Sequence, residues 1–340
     1  MAKLREIFNK NVTLSYQVKD NLQRSKFWQS GAFVSDARLR PLLNSGSLTF
    51  DVPFIHPIDG NLEANYSNTI MTDIAMPRSI EGSKSKGRLA LLNEGFIESR
   101  LESYLLGQSP LKLMAQMIDD YWLTQAENRA IATLFGLLNY DQSNGKKLST
   151  DISKATADDS SGFDVHAFID AEGTMDEMYQ GKGLMIVHPL IATKMRKQRL
   201  LERVTTADDL KPIDMYNGRR LIQSKRATVI GTGKNAKYVS YLLGAGAFAA
   251  DMVAGHDDLE LERTANTGNG SGHTTLWTRR NMLIHPQGFS FIGEPSTLTG
   301  GTKNEALSPS WTDLTTAANW RLDADADADA TPIRFLITNL

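Results

Sequence analysis

The sequence predicts an α+β protein in which one long helix is flanked by extended segments. Residues 109–138 keep an uninterrupted helical pattern, and residues 46–107 contain strand-like runs broken by prolines. From residue 163 onward, strand-like and helical runs alternate. The apolar content of 41% is typical of a folded chain. We therefore expect a folded protein whose parts are arranged around the long helix.

The long helix is predicted from its start signal and its apolar stripe. Ser109 is a good N-cap residue, and Pro110 fits the first helical position because no backbone N–H is needed there. Met114, Ile118 and Trp122 begin an apolar stripe that recurs every four residues to the end of the pattern. Such a helix would be roughly 45 Å long. This length exceeds that of most helices in globular proteins.

Residues 1–45 have the composition of an arm rather than of a domain. They contain eight basic and three acidic residues, and their apolar residues are scattered. Lys3, Arg5 and Lys10 carry the positive charge of its first part. Both a solvated terminal segment and a contact with a polyanion fit this composition.

Residues 46–107 predict a long extended excursion. Pro53 and Pro57 interrupt its first strand-like run, which suits edge strands and turns. The run GSKSKG, residues 82–87, predicts a flexible, exposed turn, and a short helix follows at residues 97–107. Two extended strands cannot bury a core alone. We therefore expect this excursion to pack against a neighbour, most plausibly another copy of the chain.

The second half of the chain predicts a surface loop followed by alternating elements. Residues 141–162 are polar and turn-rich, and they mark the favoured internal boundary. A short buried strand is predicted at GLMIVHP and a basic amphipathic helix at residues 190–204. The chain closes with the strand-like run IRFLITN.

An Asp–Ala run at residues 323–330 stands apart from the rest of the composition. Its first three aspartates have the spacing of a calcium loop, but that loop would need Glu where Arg334 stands. A solvated loop is the favoured interpretation, and a cation that bridges subunits is the alternative.

The residue types exclude several kinds of chemistry. The chain has no cysteine, which excludes disulfides, zinc–thiolate sites and cysteine catalysis. The six histidines lack metal-ligand spacing, and no nucleophile elbow occurs, so we predict no catalytic, cofactor-binding or metal-binding residue. No run approaches ~18 apolar residues, so no membrane span is predicted. The formal charge of −2 does not suggest a strongly basic nucleic-acid binder.

One glycine motif matches a cofactor pattern loosely. Gly244, Gly246 and Ala249 have the spacing of the dinucleotide fingerprint, which would suggest a nicotinamide-dependent oxidoreductase. No series of βαβ units surrounds the motif, however. A tight turn packed closely against other backbone is the favoured interpretation.

Six segments in a fixed order point to one protein family. They are SGSLTFDVPFIHPIDGNLEANYSN, SPLKLMAQMIDDYW, LMIVHPLIATKMRKQRLLE, YNGRRLI, YVSYLLGAGAFA and LELERTANTGNGSGHTTLWTRRNMLIHPQGFSFIG. In this order the chain resembles the major capsid proteins of tailed bacteriophages with the Hong Kong 97-type fold. Each fragment is unspecific alone, whereas the six together are specific.

The resemblance implies a division of the chain. Residues 1–45 would be the N-terminal arm and residues 46–107 the extended E-loop. Residues 108–162 would contribute the spine helix and a surface loop to the peripheral domain. Residues 163–253 would form the axial domain, where Gly244 and Gly246 make a turn common in this family. Residues 254–340 would return to the peripheral domain and end in a C-terminal tail.

The resemblance also implies a structural rather than enzymatic function. The chain would assemble as hexamers and pentamers into the icosahedral head shell around double-stranded DNA, in the cytoplasm of a bacterial host, and would remain in the virion. Lys3, Arg5 and Lys10 would face the DNA. The implied partners are a scaffolding protein, a portal and decoration proteins. A scaffold supplied by a separate chain is expected because residues 1–45 lack the long helical assembly segment of the family's type member. An encapsulin-like shell around protein cargo is the alternative.

Overall fold

A long helix and two larger β-sheets organise the part of the chain that the computed structural model describes. That part comprises residues 27–28, 30–37, 39–44, 48–55, 63–77, 82–106, 110–204, 213–300, 307–323, 328 and 331–340. The predicted N-cap Ser109 and the predicted DNA-facing residues Lys3, Arg5 and Lys10 lie outside these ranges.

Helices and strands are mixed along the described chain, which confirms the predicted α+β class. The helices are α1 (Arg100–Leu106), α2 (Pro110–Ser143), α3 (Val165–Gly173), α4 (Pro189–Lys197) and α5 (Trp311–Thr315). The strands are β1 (Phe33–Val34), β2 (Thr49–Ile55), β3 (Gly82–Arg88), β4 (Ala90–Ser99), β5 (Ser149–Asp151), β6 (Leu184–Val187), β7 (Glu202–Val204), β8 (Ile213–Tyr216), β9 (Arg219–Gln223), β10 (Val229–Ile230), β11 (Lys237–Leu243), β12 (Phe248–Thr264), β13 (His273–Pro286), β14 (Phe289–Phe291), β15 (Trp320–Leu322) and β16 (Ile333–Thr338).

Helix α2 confirms the predicted long helix and extends it. It includes Pro110 in its first turn and runs for 34 residues to Ser143, five residues beyond the predicted end. Ile118 and Trp122 are buried, and so are the later members of the same stripe, which confirms the stripe from residue 118 onward. The side chain of Met114 lies outside the described side chains. The extra turn is supported by Asp141, whose carboxylate accepts a hydrogen bond from the backbone N–H of Leu148 at 2.9 Å.

A four-stranded sheet covers the first half of α2. Its strand order is β1-β12-β13-β4, and the long hairpin of β12 and β13 forms most of it. Trp122, Ile118 and Met282 lie in one buried cluster between helix and sheet. The indole N–H of Trp122 donates to the hydroxyl of Thr278 at 3.2 Å. The run AFAADMVAG, residues 247–255, lies almost entirely in β12, which begins at Phe248.

An eight-stranded sheet covers the second half of α2. Its strand order is β5-β16-β11-β6-β9-β8-β7, with β10 paired beside it to β11. One face packs against α2 through residues such as Leu134, and the other packs against α3 and α4 through residues such as Phe168 and Ile191. Since both faces of the sheet are buried, every residue of β6 and β16 is buried, and β6 is a continuous apolar run. The buried strand predicted at GLMIVHP is therefore confirmed.

Two segments that are distant in sequence join this eight-stranded sheet. Strand β16 pairs with β11, so residues 333–338 share a sheet with residues of the predicted axial segment rather than with the β12–β13 sheet. Strand β5 pairs in parallel with β16, so the predicted surface loop at 141–162 contains a sheet strand. These pairings join residues that are far apart in sequence, and local composition carries no signal for them.

Helix α4 is shorter than predicted. It ends at Lys197, and β7 begins at Glu202, whereas the pattern predicts a helix to residue 204. Arg199 adopts a left-handed backbone conformation with φ 58°, where glycine is the preferred residue. The helix therefore ends at a position that its amphipathic pattern does not mark.

The Asp–Ala run begins in the interior rather than in a solvated loop. Asp323 is 3% exposed, and its carboxylate accepts a hydrogen bond from the hydroxyl of Ser290. The solvated-loop interpretation is thus wrong for Asp323. The other aspartates of the run lie outside the described residues.

A pair of glycines tests how tightly α2 is packed. A Cβ atom on Gly136 would lie 1.9 Å from the carbonyl oxygen of Leu314 and 2.6 Å from the indole nitrogen of Trp320. We expect Gly136→Ala to lower the free energy of unfolding by about 1–3 kcal/mol, because overpacking shifts rigid neighbours. Gly173 at the end of α3 has open space at its Cβ position. Gly173→Ala should be neutral or stabilising by up to about 1 kcal/mol. Urea denaturation of both variants measures this difference, and equal effects would contradict it.

Candidate assembly surfaces

Strands β2 and β3 form a separate two-stranded antiparallel sheet. Strands β2 and β3 form seven antiparallel pairs, from Thr49 with Arg88 to Ile55 with Gly82. The predicted exposed turn at residues 82–87 is therefore wrong, because these residues form a strand. The ring of Phe50 lies 2.1 Å from where a Cβ atom of Gly87 would be. In the sequence Gly87 indicates a flexible turn. In the structure its lack of a side chain permits the ring of Phe50 to pack closely against the strand.

The base of the hairpin is fixed by buried polar contacts. The hydroxyl of Ser85 donates to the carbonyl oxygen of Phe289 at 2.9 Å and lies 2.9 Å from Nε2 of His285. Because the single hydroxyl proton goes to Phe289, His285 is expected to donate from Nε2 to Ser85. The backbone N–H of Lys86 donates to the hydroxyl of Ser290 at 2.9 Å. These contacts fasten β3 to β13 and β14.

The buried imidazole of His285 should make stability depend on pH. Burial lowers the pKa of His285 to about 4, from an ordinary value of about 6.5. Between these values the unfolded chain binds more protons than the folded one, so acidification favours unfolding. From pH 7 to 4.5 this group alone should lower the free energy of unfolding by roughly 2–3 kcal/mol.

Urea denaturation of the monomeric protein across this pH range measures that slope. His285→Gln removes the titrating group and should flatten the slope by about the same amount, even if it lowers stability at pH 7. A variant with the slope of the wild type would contradict the assignment.

The tip of the hairpin exposes an unusual amount of apolar surface. We define the hairpin loop as residues 63–77, which lie between the two strands in extended or turn conformation. Its large apolar side chains are each more than half exposed, namely Tyr66 (79%), Ile70 (59%), Met71 (101%), Ile74 (88%) and Met76 (82%). Exposed apolar patches of this kind usually mark interaction sites.

Helix α1 presents a second exposed apolar face. Leu101, Tyr104 and Leu105 have the i, i+3, i+4 spacing of one helical face, and each is more than half exposed. Leu259 and Leu261 in the outer part of β12 are also more than half exposed. The described chain thus leaves apolar surface uncovered at several separate places.

A groove of about 690 Å³ lies between β4, α2 and residues 307–312. Its walls include Leu91, Leu92, Gln125, Arg129, Leu307 and Trp311. Leu307 and Trp311 are about half exposed, so the groove has apolar side chains at its mouth.

Arg129 supplies a positive charge to the wall of this groove. It is 6% exposed, and its guanidinium donates to the carbonyl oxygen of Pro309 at 2.9 Å. Burial lowers the pKa of Arg129 to about 10, while the nearby Asp313 carboxylate acts in the opposite direction. The side chain stays charged near neutral pH.

The glycine motif forms a turn between two strands. Gly244 is closely packed, since a Cβ atom there would lie 2.9 Å from Tyr179 and 3.0 Å from Pro332. Gly246 has φ 70°. Strand β12 follows the turn, so the helix N-terminus that would bind a pyrophosphate is absent at this motif. The tight-turn interpretation is confirmed.

The basic residues of α4 and β7 have acidic neighbours in part. Arg196 lies 2.6 Å from the carboxylate of Asp214, and Arg203 lies 3.5 Å from it.

Among the described residues, no cluster of three or more acidic or histidine side chains could hold a metal ion. None of the helices in the described ranges has the length and apolar character needed to span a bilayer.

No local pattern in the sequence indicates the buried ion pair between α3 and β9. Arg219 is fully buried, and its Nε lies 2.8 Å from the carboxylate of Glu172. The same guanidinium donates to the carbonyl oxygens of Leu243 and Tyr179 at 3.1 and 2.9 Å. It therefore ties β9, the end of β11 and the segment after α3 together. In a short window of sequence, two arginines before an apolar strand are as typical of exposed side chains as of buried ones.

Comparisons with known proteins identify solved structures that have a similar fold. No family model matches the sequence, and no curated protein matches it. Among solved structures, the cyanophage Pam1 capsid is similar with a TM-score of 0.55 and 9% identity, over 98% of this chain and 95% of that one. The capsid of Ralstonia phage GP4 has a TM-score of 0.53 and 9% identity over 86% and 83% of the two chains. The head structure of Helicobacter pylori bacteriophage KHP40 has a TM-score of 0.50 and 9% identity over 90% and 86%. The chain therefore has the fold of these phage capsid proteins.

Proposed function

We propose that this protein is the major capsid protein of a bacteriophage, which assembles into the head shell around double-stranded DNA. The observation that carries the proposal is the fold similarity to a phage capsid protein over 98% of the chain. The exposed apolar hairpin loop supports it, because the body of the subunit leaves this loop uncovered. In a shell, each copy would cover the exposed apolar surfaces of its neighbours. This removes the free-energy cost of leaving those surfaces in water. Many weak contacts then add up through multivalency.

We assign the parts of the chain by analogy with the Hong Kong 97-type fold. The hairpin at residues 46–107 serves as the E-loop, and α2 serves as the spine helix of the peripheral domain. Residues 163–253, with the turn at Gly244 and Gly246, form most of the axial domain. Strand β16 pairs with β11, which favours adding residues 333–338 to that domain.

The proposed function predicts closed particles. The purified protein should form icosahedral shells of hexamers and pentamers, visible by electron microscopy and excluded early from a sizing column. DNA inside particles made during infection separates a phage head from a shell around protein cargo. A compact monomer under all assembly conditions would refute the proposal.

The proposal also implies partners other than the chain itself. Lys3, Arg5 and Lys10 contact packaged DNA through charge alone, so neutralising them should reduce the salt dependence of DNA retention.

A separate scaffolding protein sets shell size, so the chain expressed alone should give shells of mixed size. Uniform shells without a second protein would refute that partner. The other proposed partners are a portal and decoration proteins. Assembly takes place in the host cytoplasm, and the protein remains in the virion.

A further inference from the structure

We propose that a small cavity between α2, the end of β3 and strands β13 and β14 binds a monatomic, monovalent anion such as chloride. The cavity has a volume of about 20 Å³, and its polar walls are Arg129 and Thr133 of α2, Arg88 of β3 and His285 of β13. The inference does not depend on assembly, so it goes beyond the proposed function. The bound ion would join the helix to the strands that surround it.

The guanidinium of Arg129 has donors to spare in the interior of the protein. Arg129 is 6% exposed, and among the described residues its guanidinium has one hydrogen-bond acceptor, the carbonyl oxygen of Pro309 at 2.9 Å. A guanidinium carries several N–H donors in a fixed geometry and no acceptor. Burying such a charge is costly unless it is paired and hydrogen-bonded. An anion in the cavity would supply the missing acceptor and the missing charge together.

The hydroxyl of Thr133 is a second donor at the same place. Thr133 is 1% exposed, and its hydroxyl makes no hydrogen bond to any residue that the structure describes. Buried hydroxyls of this kind are uncommon and call for an explanation. Arg129 and Thr133 lie four residues apart on one face of α2, and both line the cavity. Their donors can therefore converge on a single atom.

The charge around the cavity is positive. Arg88 and Arg129 both line it, His285 is neutral at pH 7, and none of the described lining side chains is acidic. Glu294 and Asp313 attract the two guanidinium groups, but neither carboxylate lines the cavity. The carboxylate of Asp313 already accepts hydrogen bonds from two backbone N–H groups. A negative ion is thus favoured at this position.

The size of the cavity selects the kind of anion. A site needs ~10–15 Å³ to hold one water molecule, so about 20 Å³ holds one small particle and excludes phosphate, sulfate and carboxylates. A water molecule must donate hydrogen bonds as well as accept them, and a guanidinium offers no acceptor. A halide only accepts. The remaining walls are largely apolar and suit a large, weakly hydrated ion, namely Met282, Ile284, Phe291 and Leu314.

Urea denaturation of the monomeric protein at constant ionic strength tests the site. Sodium gluconate, whose anion is too large for the cavity, is replaced stepwise by sodium chloride or sodium bromide. Because the ion binds the folded chain alone, the unfolding midpoint should rise with the logarithm of chloride concentration above the Kd. Bromide should act in the same way. Equal midpoints in gluconate, chloride and bromide would overturn the inference.

Variants of one helix locate the response. Thr133→Val keeps the shape and removes the hydroxyl, so the rise should begin at a chloride concentration at least about tenfold higher, the loss expected for one hydrogen bond to an ion. Thr133→Ser keeps the hydroxyl and should keep the response. As a matched control, Thr124→Val removes a hydroxyl that donates to the carbonyl oxygen of Asp120 at 2.6 Å, away from the cavity. An unchanged onset in Thr133→Val, or an equal shift in Thr124→Val, would overturn the assignment.

Fluorescence of the wild-type protein decides the matter if Thr133→Val does not fold. The indole of Trp320 lines the cavity, and bromide quenches tryptophan fluorescence on contact. Part of the quenching should saturate over the bromide range that raises stability, and Trp320→Phe should lose that part. Quenching that stays linear in bromide concentration would show that no ion binds beside Trp320.

Discussion

Glu172→Ala should lower the free energy of unfolding by about 3–5 kcal/mol, because it leaves the buried guanidinium of Arg219 without its carboxylate. Glu172 also accepts hydrogen bonds from the backbone N–H of Gly181 at 2.8 Å and from the amide of Asn217 at 2.6 Å. One carboxylate therefore satisfies three donors from different segments. Urea denaturation of the dissociated subunit measures the loss.

A more exposed ion pair, between α4 and the same sheet, provides the control for this variant. Arg196 lies 2.6 Å from Asp214, but its side chain is 42% exposed. Arg196→Ala should cost no more than about 1 kcal/mol, since solvent screens such pairs. Similar losses in both variants would show that burial does not set the strength of the Glu172–Arg219 pair.

Trp122→Ala should cost about 3–5 kcal/mol and should abolish soluble, assembly-competent protein. The indole is 1% exposed between α2 and the four-stranded sheet, and its removal leaves a cavity beside Ile118 and Met282. It also leaves the hydroxyl of Thr278 without the indole donor. Thermal unfolding and the yield of soluble protein measure the effect.

Two further variants control for size and for location. Trp122→Phe keeps much of the apolar volume and loses the hydrogen bond, so its loss should be clearly smaller. Trp311→Ala removes a tryptophan that is 46% exposed, so it should change subunit stability little while weakening assembly. If Trp122→Ala assembles with unchanged thermal stability, the apolar stripe of α2 does not have the role assigned to it.

Local sequence patterns predict the elements whose burial is visible in a short stretch of sequence. The i+4 stripe of α2 and the apolar residues of β6 and β16 are visible in short windows, because the stripe lies on one buried helix face and the two strands are buried on both faces. Strand β3 was missed because its serines and glycines are typical of turns. Its conformation depends on Ser85 binding His285 and Phe289, some 200 residues away.

The candidate site was less predictable than the fold. The sequence indicated that the excursion at residues 46–107 needs a neighbour, but it did not indicate which residues are exposed. The groove combines side chains from β4, α2 and the segment before α5, which meet only in the folded chain. Arg129 and Trp311 therefore carried no local signal of a shared surface.

The position of β16 sets an order of events during protein synthesis. This strand lies between β5 and β11, yet the ribosome makes it about 90 residues after β11. At 5–20 residues per second, the edge of β11 waits roughly 5–18 s for its partner. An open edge of an apolar strand invites pairing with other chains. We therefore expect the nascent chain to be prone to pairing with other chains until residues 333–338 have been made and have closed this edge.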